Sequence, residues 1–222
     1  MTWSSPWRLY VIIDRAASAG RDPADLAAAA IRGGADVVQL RDKTAPHREF
    51  LKEAQRVMSV TRRGGVPLII NDRVPVARSV SADGVHLGQD DVPIAVARRR
   101  LGPRCLIGKS THSLEQALAA QGEGADYIGF GPIFSTPTKP DYDSVGISMI
   151  RQVMDTVTVP VVCIGGIDGG VLPQVVRAGA TCVAVVRAVC AAPDPESAAR
   201  SLKHQLEQFP LRKGMVGRKG KL

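Results

Sequence analysis

Apolar and polar positions follow two alternating patterns along this chain. Short, almost wholly apolar runs recur, and each is followed by a longer stretch rich in Ala, Leu or Arg whose apolar residues return with helical spacing. Strands of such composition are buried on both faces, as in parallel sheets. The pattern predicts eight strand–helix units, whose strands are Leu9–Ile13, Val37–Leu40, Leu68–Ile70, Gly84–Leu87, Leu106–Ile107, Tyr127–Phe130, Val161–Ile164 and Val183–Val186.

The predicted helices fill the chain between and after these strands. They are Asp25–Arg32, Arg48–Arg63, Val74–Val80, Val92–Arg100, Leu114–Gly122, Ile147–Val153, Val171–Ala178 and Ser197–Gln208. Short Gly-Ala-Asp-like segments separate a helix from the next strand, with glycine expected in the left-handed conformation that ends a helix. They are Gly34–Asp36, Ser81–Asp83, Gly124–Asp126 and Gly179–Thr181.

The fold class that follows is α/β, a single-domain (β/α)8 TIM barrel. An open doubly wound sheet is the rival architecture, but the first strand leads into Asp14-Arg15-Ala16 without the glycine-rich turn of a dinucleotide site. At 222 residues the chain suits one domain. We expect an N-terminal extension over residues 1–8, the catalytic barrel over 9–208 and a disordered basic tail over 209–222.

The net charge of +8 changes this picture little. The tail supplies five of those charges without one acid, which leaves +3 for the rest of the chain. An RNA-binding arm stays open as an alternative, but we expect no nucleic-acid partner. No apolar run reaches the roughly 20 residues of a membrane span, and the start lacks the features of a secretory signal, so we expect a cytoplasmic protein without a membrane partner. The four cysteines have no C-x-x-C spacing, which predicts reduced packing residues.

Candidate chemistry begins at the end of the second strand. In a (β/α)8 barrel the active site is built from the carboxyl ends of the strands and the loops that follow. Alternation with a period of two sends Gln39, Arg41 and Lys43 in the same direction, toward the barrel mouth. Taken alone, Arg41 with Asp42 could be a surface ion pair at a strand end. The polar ends of the next strands weaken that reading.

Two carboxylates at the following strand ends indicate a metal site. Asp72 comes directly after Asn71 at the third strand end, and Asp91 lies in the loop after the fourth. Mg²⁺ is usually held by one or two carboxylates, with water and substrate phosphate as the other ligands. Asp90 is assigned to helix capping or to the surface. His86 is open between a general base and a hydrogen-bonded supporting residue.

The later strand ends predict anion binding. Ser110 follows the fifth strand and could face the cavity. The sixth loop holds Thr136, Thr138 and Lys139 among stiffening prolines, a composition that can clamp an anion. The loops after strands seven and eight, at Gly165-Gly166 and Val186-Arg187, occupy the standard phosphate station of these barrels.

With these motifs in order, the chain resembles the thiamine-phosphate synthase family. The segments that carry the likeness follow seven of the eight strands and lie between about Leu9 and Gln208. They are Gln39-x-Arg41-x-Lys43, Asn71-Asp72, His86-Leu-Gly-Gln-x-Asp91, Ser110-Thr-His, Gly131-Pro-Ile-Phe-Ser-Thr136-Pro-Thr138-Lys139 and Gly165-Gly166-Ile. The resemblance implies a transferase that joins 4-amino-5-hydroxymethyl-2-methylpyrimidine pyrophosphate to a thiazole monophosphate, giving thiamine monophosphate and pyrophosphate.

The resemblance also implies residue roles. Gln39 would bind the aminopyrimidine, and Asp72 and Asp91 would place Mg²⁺. The pyrophosphate would be held by Arg41, Lys43, Asn71, Ser110 and Lys139. Thr136 and Thr138 would contact the thiazole substrate, and its phosphate would be received by Gly166 and Val186. Many relatives have Ser at the position of Arg187, so its side chain and its backbone are equally good candidates for phosphate binding.

Three other functions are compatible with parts of the sequence. A thiazole tautomerase of the same superfamily does not need the pyrophosphate grip of Arg41, Lys43, Asp72 and Asp91. A phosphosugar isomerase or epimerase would share the glycines after strand seven but leaves the carboxylates and threonines unexplained. A non-enzymatic RNA-binding protein rests on the basic tail alone. The sequence leaves a homo-oligomer and the choice between the thiazole and its carboxylate open.

Overall fold

The eight strands form a closed parallel barrel in sequence order. A computed structural model describes residues 7–136 and 143–209. Its strands are β1 Leu9–Asp14, β2 Val37–Arg41, β3 Leu68–Asn71, β4 Gly84–Leu87, β5 Leu106–Thr111, β6 Tyr127–Phe130, β7 Val161–Ile164 and β8 Cys182–Val185. β8 pairs with β1, where Val185 lies opposite Val11, so the sheet has no edge. The predicted fold class is confirmed.

Helices surround the barrel. The described part of the chain contains α1 Pro23–Arg32, α2 His47–Gly64, α3 Val74–Ser79, α4 Ile94–Leu101, α5 Leu114–Gly122, α6 Ser148–Thr156, α7 Leu172–Arg177, α8 Arg187–Cys190 and α9 Pro195–Glu207. The last helix contacts the first, which closes the outer ring. This approach is close, since a Cβ atom at Gly33 would lie 2.5 Å from the Ala199 Cβ.

Several predicted bounds differ from the structure by a few residues, and three local differences have a physical reason. β5 extends to Thr111 rather than Ile107, because a strand continues through polar residues when their neighbours still offer ladder partners. The short helix α8 after β8 was not predicted, since four residues carry too little periodicity to be seen. Asp90 is exposed, and α4 begins after Pro93 without a side-chain cap, so the capping role is wrong and the surface role is right.

Side chains alternate between two apolar layers. One set of strand residues, including Leu9, Val11 and Ile13, packs outward against the helices in the larger core. Their neighbours Tyr10 and Ile12 point into the barrel, where they form a second cluster with residues of other strands. Truncating a fully buried side chain of the larger core to Ala would cost about 2–5 kcal/mol. The interior layer is smaller, and its polar members form the floor of the site.

The Gly-Ala-Asp segments fasten the amino-terminal end of the barrel. Asp36 accepts hydrogen bonds from the N–H groups of Arg8 and Leu9, at 2.9 and 2.8 Å. In the same way, Asp83 accepts a hydrogen bond from the Leu68 N–H at 2.9 Å, and Asp126 accepts one from the Ile107 N–H at 2.7 Å. Each aspartate thus ties the start of its own strand to the preceding strand. The glycines Gly34, Gly124 and Gly179 have the predicted positive φ angles.

The prediction that the cysteines are reduced packing residues is confirmed. All four cysteines are free thiols, and burial raises the pKa of Cys163 and of Cys190 to about 12. Thiols with such values are protonated at neutral pH and serve as packing residues. Among the residues described, none of the helices is both long enough and apolar enough to cross a bilayer.

Candidate active site

A cavity of about 420 Å³ opens at the carboxyl ends of the strands, a size suited to small-molecule ligands. Many of the predicted site residues line it, from strands on all sides of the barrel. They are Gln39, Arg41, Asn71, Ser110, Thr136, Gly166, Val186 and Arg187. Gln39 and Arg41 therefore both face the barrel mouth, as the alternation of side chains along the second strand predicts. Thr138 and Lys139 lie outside the described residues.

Asp72 and Asp91 form a carboxylate pair beside this cavity. The two carboxyl groups are within hydrogen-bonding reach of each other, and the Lys43 ammonium contacts Asp72. Burial, followed by the Asp91 carboxyl, raises the pKa of Asp72 above its ordinary value. Burial opposes ionisation of Asp91 too, but hydrogen bonds from Asp72 and from the Gly88 N–H lower the pKa of Asp91. Asp72 is therefore the member that holds a proton to the higher pH.

The backbone fixes both carboxylates. Asp72 has a φ angle of +58°, a left-handed conformation that costs free energy in a residue with a side chain, and its N–H donates to the His86 carbonyl at 2.8 Å. Asp91 accepts from the Gly88 N–H at 2.6 Å. The buried Lys109 donates to the Gly88 carbonyl at 2.7 Å and so supports the same turn. Neither carboxylate can leave the rim without breaking local contacts.

Arg41 does not pair with its neighbour Asp42, so that interpretation is wrong. The Asp42 carboxylate instead accepts from the N–H groups of Thr44 and Ala45, at 2.8 and 2.9 Å, because it closes its own turn. Arg41 contacts Asp14 at the end of β1, and both groups are largely buried. The guanidinium is thereby held over the cavity. Removing either partner alone would leave a buried charge without its counterion.

Asn71 and Ser110 lie on the inner wall near the floor. Asn71 ends β3 next to Asp72, and Ser110 lies in β5 with its hydroxyl 2.9 Å from His86 Nε2. His86 Nδ1 is 3.1 Å from the Tyr127 hydroxyl. Of the two readings left open for His86, this arrangement favours the hydrogen-bonded supporting residue.

The predicted phosphate station lies across the barrel from the carboxylates. In the closed strand order β7 and β8 are four strands away from β3 and β4, so the carboxylate pair and the predicted phosphate-binding loops lie on opposite sides of the barrel. Gly166 has a φ angle of +63°, and a Cβ there would lie 2.7 Å from the Phe134 Cβ, so only glycine lets the sixth loop approach this closely. Val186 precedes α8, and Arg187 is exposed at the first position of that helix.

Sequence reasoning did not single out several polar residues of the site. Asp14, which pairs with Arg41, ends a strand whose alternation Tyr10, Ile12, Asp14 points it into the barrel, so the period-two rule could have found it. Tyr10 and Tyr127 read as core residues because most of their surface is aromatic ring. Lys109 is not among the residues that line the cavity, but it supports the turn that holds Asp91, and it has no sequence signal, since a buried lysine depends on its tertiary partner.

Comparisons with known proteins point to one family. The family model described as Thiamine monophosphate synthase matches residues 9–189. A "Thiamine-phosphate synthase" of Chloroflexus aurantiacus is 52% identical over 198 residues, which cover 89% of this chain and 91% of that protein. The structure of "Thiamine phosphate pyrophosphorylase from Pyrococcus furiosus" is similar with a TM-score of 0.85 and 37% identity, covering 92% of this chain and 97% of that one.

A more distant likeness concerns the fold alone. The N-acetylmannosamine-6-phosphate 2-epimerase from Clostridium perfringens aligns with a TM-score of 0.61 but only 15% identity, over 91% of this chain and 93% of that protein. Barrels that bind phosphosugars therefore share the architecture. At this identity they lend no support to an epimerase function here.

Proposed function

Because the chain belongs to the thiamine monophosphate synthase family, it is a transferase that forms thiamine monophosphate, and we propose that it does so by expelling pyrophosphate with the help of Mg²⁺. Its substrates are small phosphorylated molecules. The proposed pair is 4-amino-5-hydroxymethyl-2-methylpyrimidine pyrophosphate and 4-methyl-5-(2-phosphoethyl)thiazole, or the carboxylate of the thiazole. The observation that carries the proposal is the carboxylate pair with its lysine on one side of the cavity and the glycine-lined loops on the other.

Asp72 and Asp91 are the proposed magnesium ligands. Two partly buried carboxylates within hydrogen-bonding reach of each other repel when both are ionised, and a divalent cation removes that repulsion. The described residues contain no group of three or more His, Cys, Asp or Glu side chains that could hold a metal. A two-carboxylate site suits Mg²⁺, which keeps several ligand positions for water and substrate phosphate. When bound, the ion would neutralise charge on the departing pyrophosphate.

Five residues are proposed to grip the pyrophosphate. They are Arg41, Lys43, Asn71, Ser110 and Lys139. Arg41 and Lys43 already contact Asp14 and Asp72, so these carboxylates position the two cations before substrate arrives. Charge on the phosphate oxygens grows as the carbon–oxygen bond breaks, so preplaced donors bind the transition state more tightly than the substrate.

The remaining predicted residues divide between the two ring systems. Gln39 would hydrogen-bond the aminopyrimidine at the floor of the cavity. Thr136 and Thr138 would contact the thiazole, and Gly166, Val186 and Arg187 would receive its phosphate. This arrangement holds the thiazole nitrogen over the methylene carbon that loses pyrophosphate, so positioning supplies much of the rate.

The reaction needs no protein nucleophile. Pyrophosphate leaves with the electron pair of its bond to the methylene carbon, and the electron-rich aminopyrimidine stabilises the resulting cation. The thiazole nitrogen then donates its electron pair to that carbon. If the carboxylate of the thiazole is the substrate, its carboxyl group must also leave as CO2. Nucleophilic attack by Ser110, with His86 as its base, is disfavoured. In Ser–His catalytic pairs the other histidine nitrogen contacts a carboxylate or amide that orients the ring, whereas His86 Nδ1 contacts the phenol of Tyr127.

The direct test is to incubate the purified chain with both substrates and Mg²⁺. We expect thiamine monophosphate and pyrophosphate in equal amounts, and neither product when one substrate is omitted. Isomerisation of the thiazole carboxylate phosphate without the pyrimidine would instead indicate a tautomerase. Retention on RNA that is lost steeply with salt and survives on the tail alone would indicate the RNA-binding alternative.

We also propose the domain limits and setting that the sequence suggested. The barrel spans 9–208 between a short extension, 1–8, and a basic tail, 209–222. The chain would act in the cytoplasm, without a nucleic-acid or membrane partner, and a homo-oligomer is compatible with it. Size-exclusion chromatography with light scattering would give the number of copies.

A further inference from the structure

Five side chains join in one hydrogen-bonded chain across the barrel floor. Gln39 Nε2 is 2.7 Å from the Tyr10 hydroxyl, which is 3.0 Å from the Tyr127 hydroxyl. Tyr127 is 3.1 Å from His86 Nδ1, and His86 Nε2 is 2.9 Å from Ser110 Oγ. The chain thus links β2, β1, β6, β4 and β5. Its two ends are residues that the proposed function assigns to different parts of one substrate.

Two glycines leave room for this hydrogen-bond chain. A Cβ atom at Gly108 would lie 2.2 Å from Tyr127 Cζ and 2.5 Å from His86 Nδ1, and one at Gly129 would lie 3.1 Å from His86 Cε1. Neither glycine has a positive φ angle, so the requirement is for space. β5 and β6 therefore each have a glycine, without a side chain, next to the Tyr127–His86 contact. Trp7 packs edge-on against both tyrosine rings from below.

Counting protons gives the chain a direction. Burial raises the pKa of both Tyr10 and Tyr127 well above the ordinary value, so each phenol keeps its one proton. Since Gln39 donates to the Tyr10 oxygen, the Tyr10 proton is given to Tyr127, and the Tyr127 proton to His86 Nδ1. His86 then carries its proton on Nε2 and donates it to Ser110. If His86 Nδ1 donated to Tyr127 instead, the Tyr127 proton would have no acceptor among these five side chains.

The direction determines what each end offers to a ligand. Gln39 uses an amide hydrogen on Tyr10, so its carbonyl oxygen is available as an acceptor in the cavity. Ser110 accepts from His86, so its own hydroxyl proton is available as a donor. An acceptor suits the exocyclic amine of an aminopyrimidine, and a donor suits an anionic phosphate oxygen. The opposite direction would present an amide N–H₂ to the amine and spend the serine proton on His86.

We propose that Tyr10, Tyr127 and His86 are positioning residues that orient the Gln39 amide and the Ser110 hydroxyl together, as one directional hydrogen-bond chain. The inference rests on the proposed function for the identity of the substrate. The direction itself is a property of the protein without substrate. One part of the floor would thereby select for an amino-substituted ring and for a phosphorylated leaving group at the same time.

The first test is the protonation state of His86, read from ¹⁵N chemical shifts of the imidazoles, with the His86 signals identified by their loss in His86→Gln. We expect a neutral ring protonated on Nε2. A neutral ring protonated on Nδ1, or an imidazolium at neutral pH, would overturn the proposal. This measurement needs no substrate, so its result is valid even if the protein forms no thiamine monophosphate.

The second test is Tyr127→Phe, which removes one hydroxyl from the middle of the chain. We expect a mixture of His86 tautomers and about tenfold weaker binding of the pyrimidine pyrophosphate, with binding of the thiazole phosphate unchanged. Val162→Ala is the matched control, since Val162 lines the same cavity without a polar group and should leave the His86 tautomer as it is. If Tyr127→Phe keeps both the tautomer and the affinity of the parent protein, the directional chain does not exist.

Discussion

The two ends of the barrel both place aspartates at strand termini, but they use them in opposite ways. At the amino-terminal end, Asp36 accepts two backbone N–H groups and contacts Lys203 at 2.6 Å. Asp126 likewise accepts a backbone N–H and contacts Arg98 at 2.5 Å. At the carboxyl-terminal end, Asp72 and Asp91 are placed against each other. Asp36 and Asp126 each bind backbone N–H groups and one cation, whereas Asp72 and Asp91 lie within hydrogen-bonding reach of each other beside a single lysine.

The contrast separates stability from function. Carboxylates that accept N–H groups from a neighbouring strand hold the barrel closed, and their loss would weaken the fold. A carboxylate pair adds nothing comparable to stability, and one of its members, Asp72, has a strained backbone, so we propose that a ligand which binds there explains its placement. The comparison can be tested by exchanging single aspartates for asparagine at the two ends.

The largest effect is expected at the carboxyl-terminal end. Asp72→Asn or Asp91→Asn should lower kcat/KM by about 10²- to 10³-fold, the size of effect that follows loss of one group stabilising developing charge. The free energy of unfolding of Asp72→Asn should stay the same or rise, because the folded state raises the pKa of Asp72 and therefore disfavours its charge. Steady-state kinetics and urea titration measure the two quantities. Near-normal turnover in both variants would refute the metal assignment.

The next effect concerns the amino-terminal end. Asp36→Asn should lower the free energy of unfolding by about 1.5–3 kcal/mol, as expected when hydrogen bonds to a charged, partly buried group are lost. Its kcat, expressed per folded molecule, should equal that of the parent chain, since Asp36 lies at the opposite end from the cavity. A large loss of kcat in fully folded Asp36→Asn would break the division between the two ends.

A smaller effect should come from the metal itself. At about ten times its dissociation constant, Mg²⁺ bound only to the folded state would stabilise it by about 1.4 kcal/mol. For a domain of this size that raises Tm by roughly 3–6 °C. We expect the rise in the parent chain and not in Asp72→Asn, as measured by calorimetry without substrates. Equal rises in both proteins would place the ion elsewhere.

The smallest predicted effect is a pH dependence without metal. Since the folded state raises the pKa of Asp72, its protonated form stabilises the fold below the ordinary value near ~3.9, and that contribution is lost as pH rises through the raised pKa. The parent chain should therefore lose more stability than Asp72→Asn as the pH rises from about 4 through the raised pKa of Asp72. Asp22 and Asp42, whose pKa values are lowered, act in the opposite direction in both proteins. Parallel stability curves would contradict the repulsion between the carboxylates.

The sequence predicts best the features that recur along it, which are the buried strands and the alternation of their side chains. Strand β6 was predicted with its observed limits, and Gln39 with Arg41 point into the cavity, because a period of two and a buried strand leave few alternatives. The β5 limit was missed because its last residues are polar. The Arg41–Asp14 pair and the Lys109 contact were missed because they join distant segments, and only closure of the barrel brings them together.

We propose that pyrophosphate leaves at the end of the barrel where Asp72 and Asp91 lie. The most direct measurement is the single-turnover rate of pyrophosphate release, with saturating thiazole phosphate, as Mg²⁺ is titrated into the parent chain and into Asp72→Asn. The account predicts a saturating rise in the parent chain and a rate at least about 100-fold lower in the variant at the same Mg²⁺. The same rate and the same Mg²⁺ dependence in both proteins would contradict it.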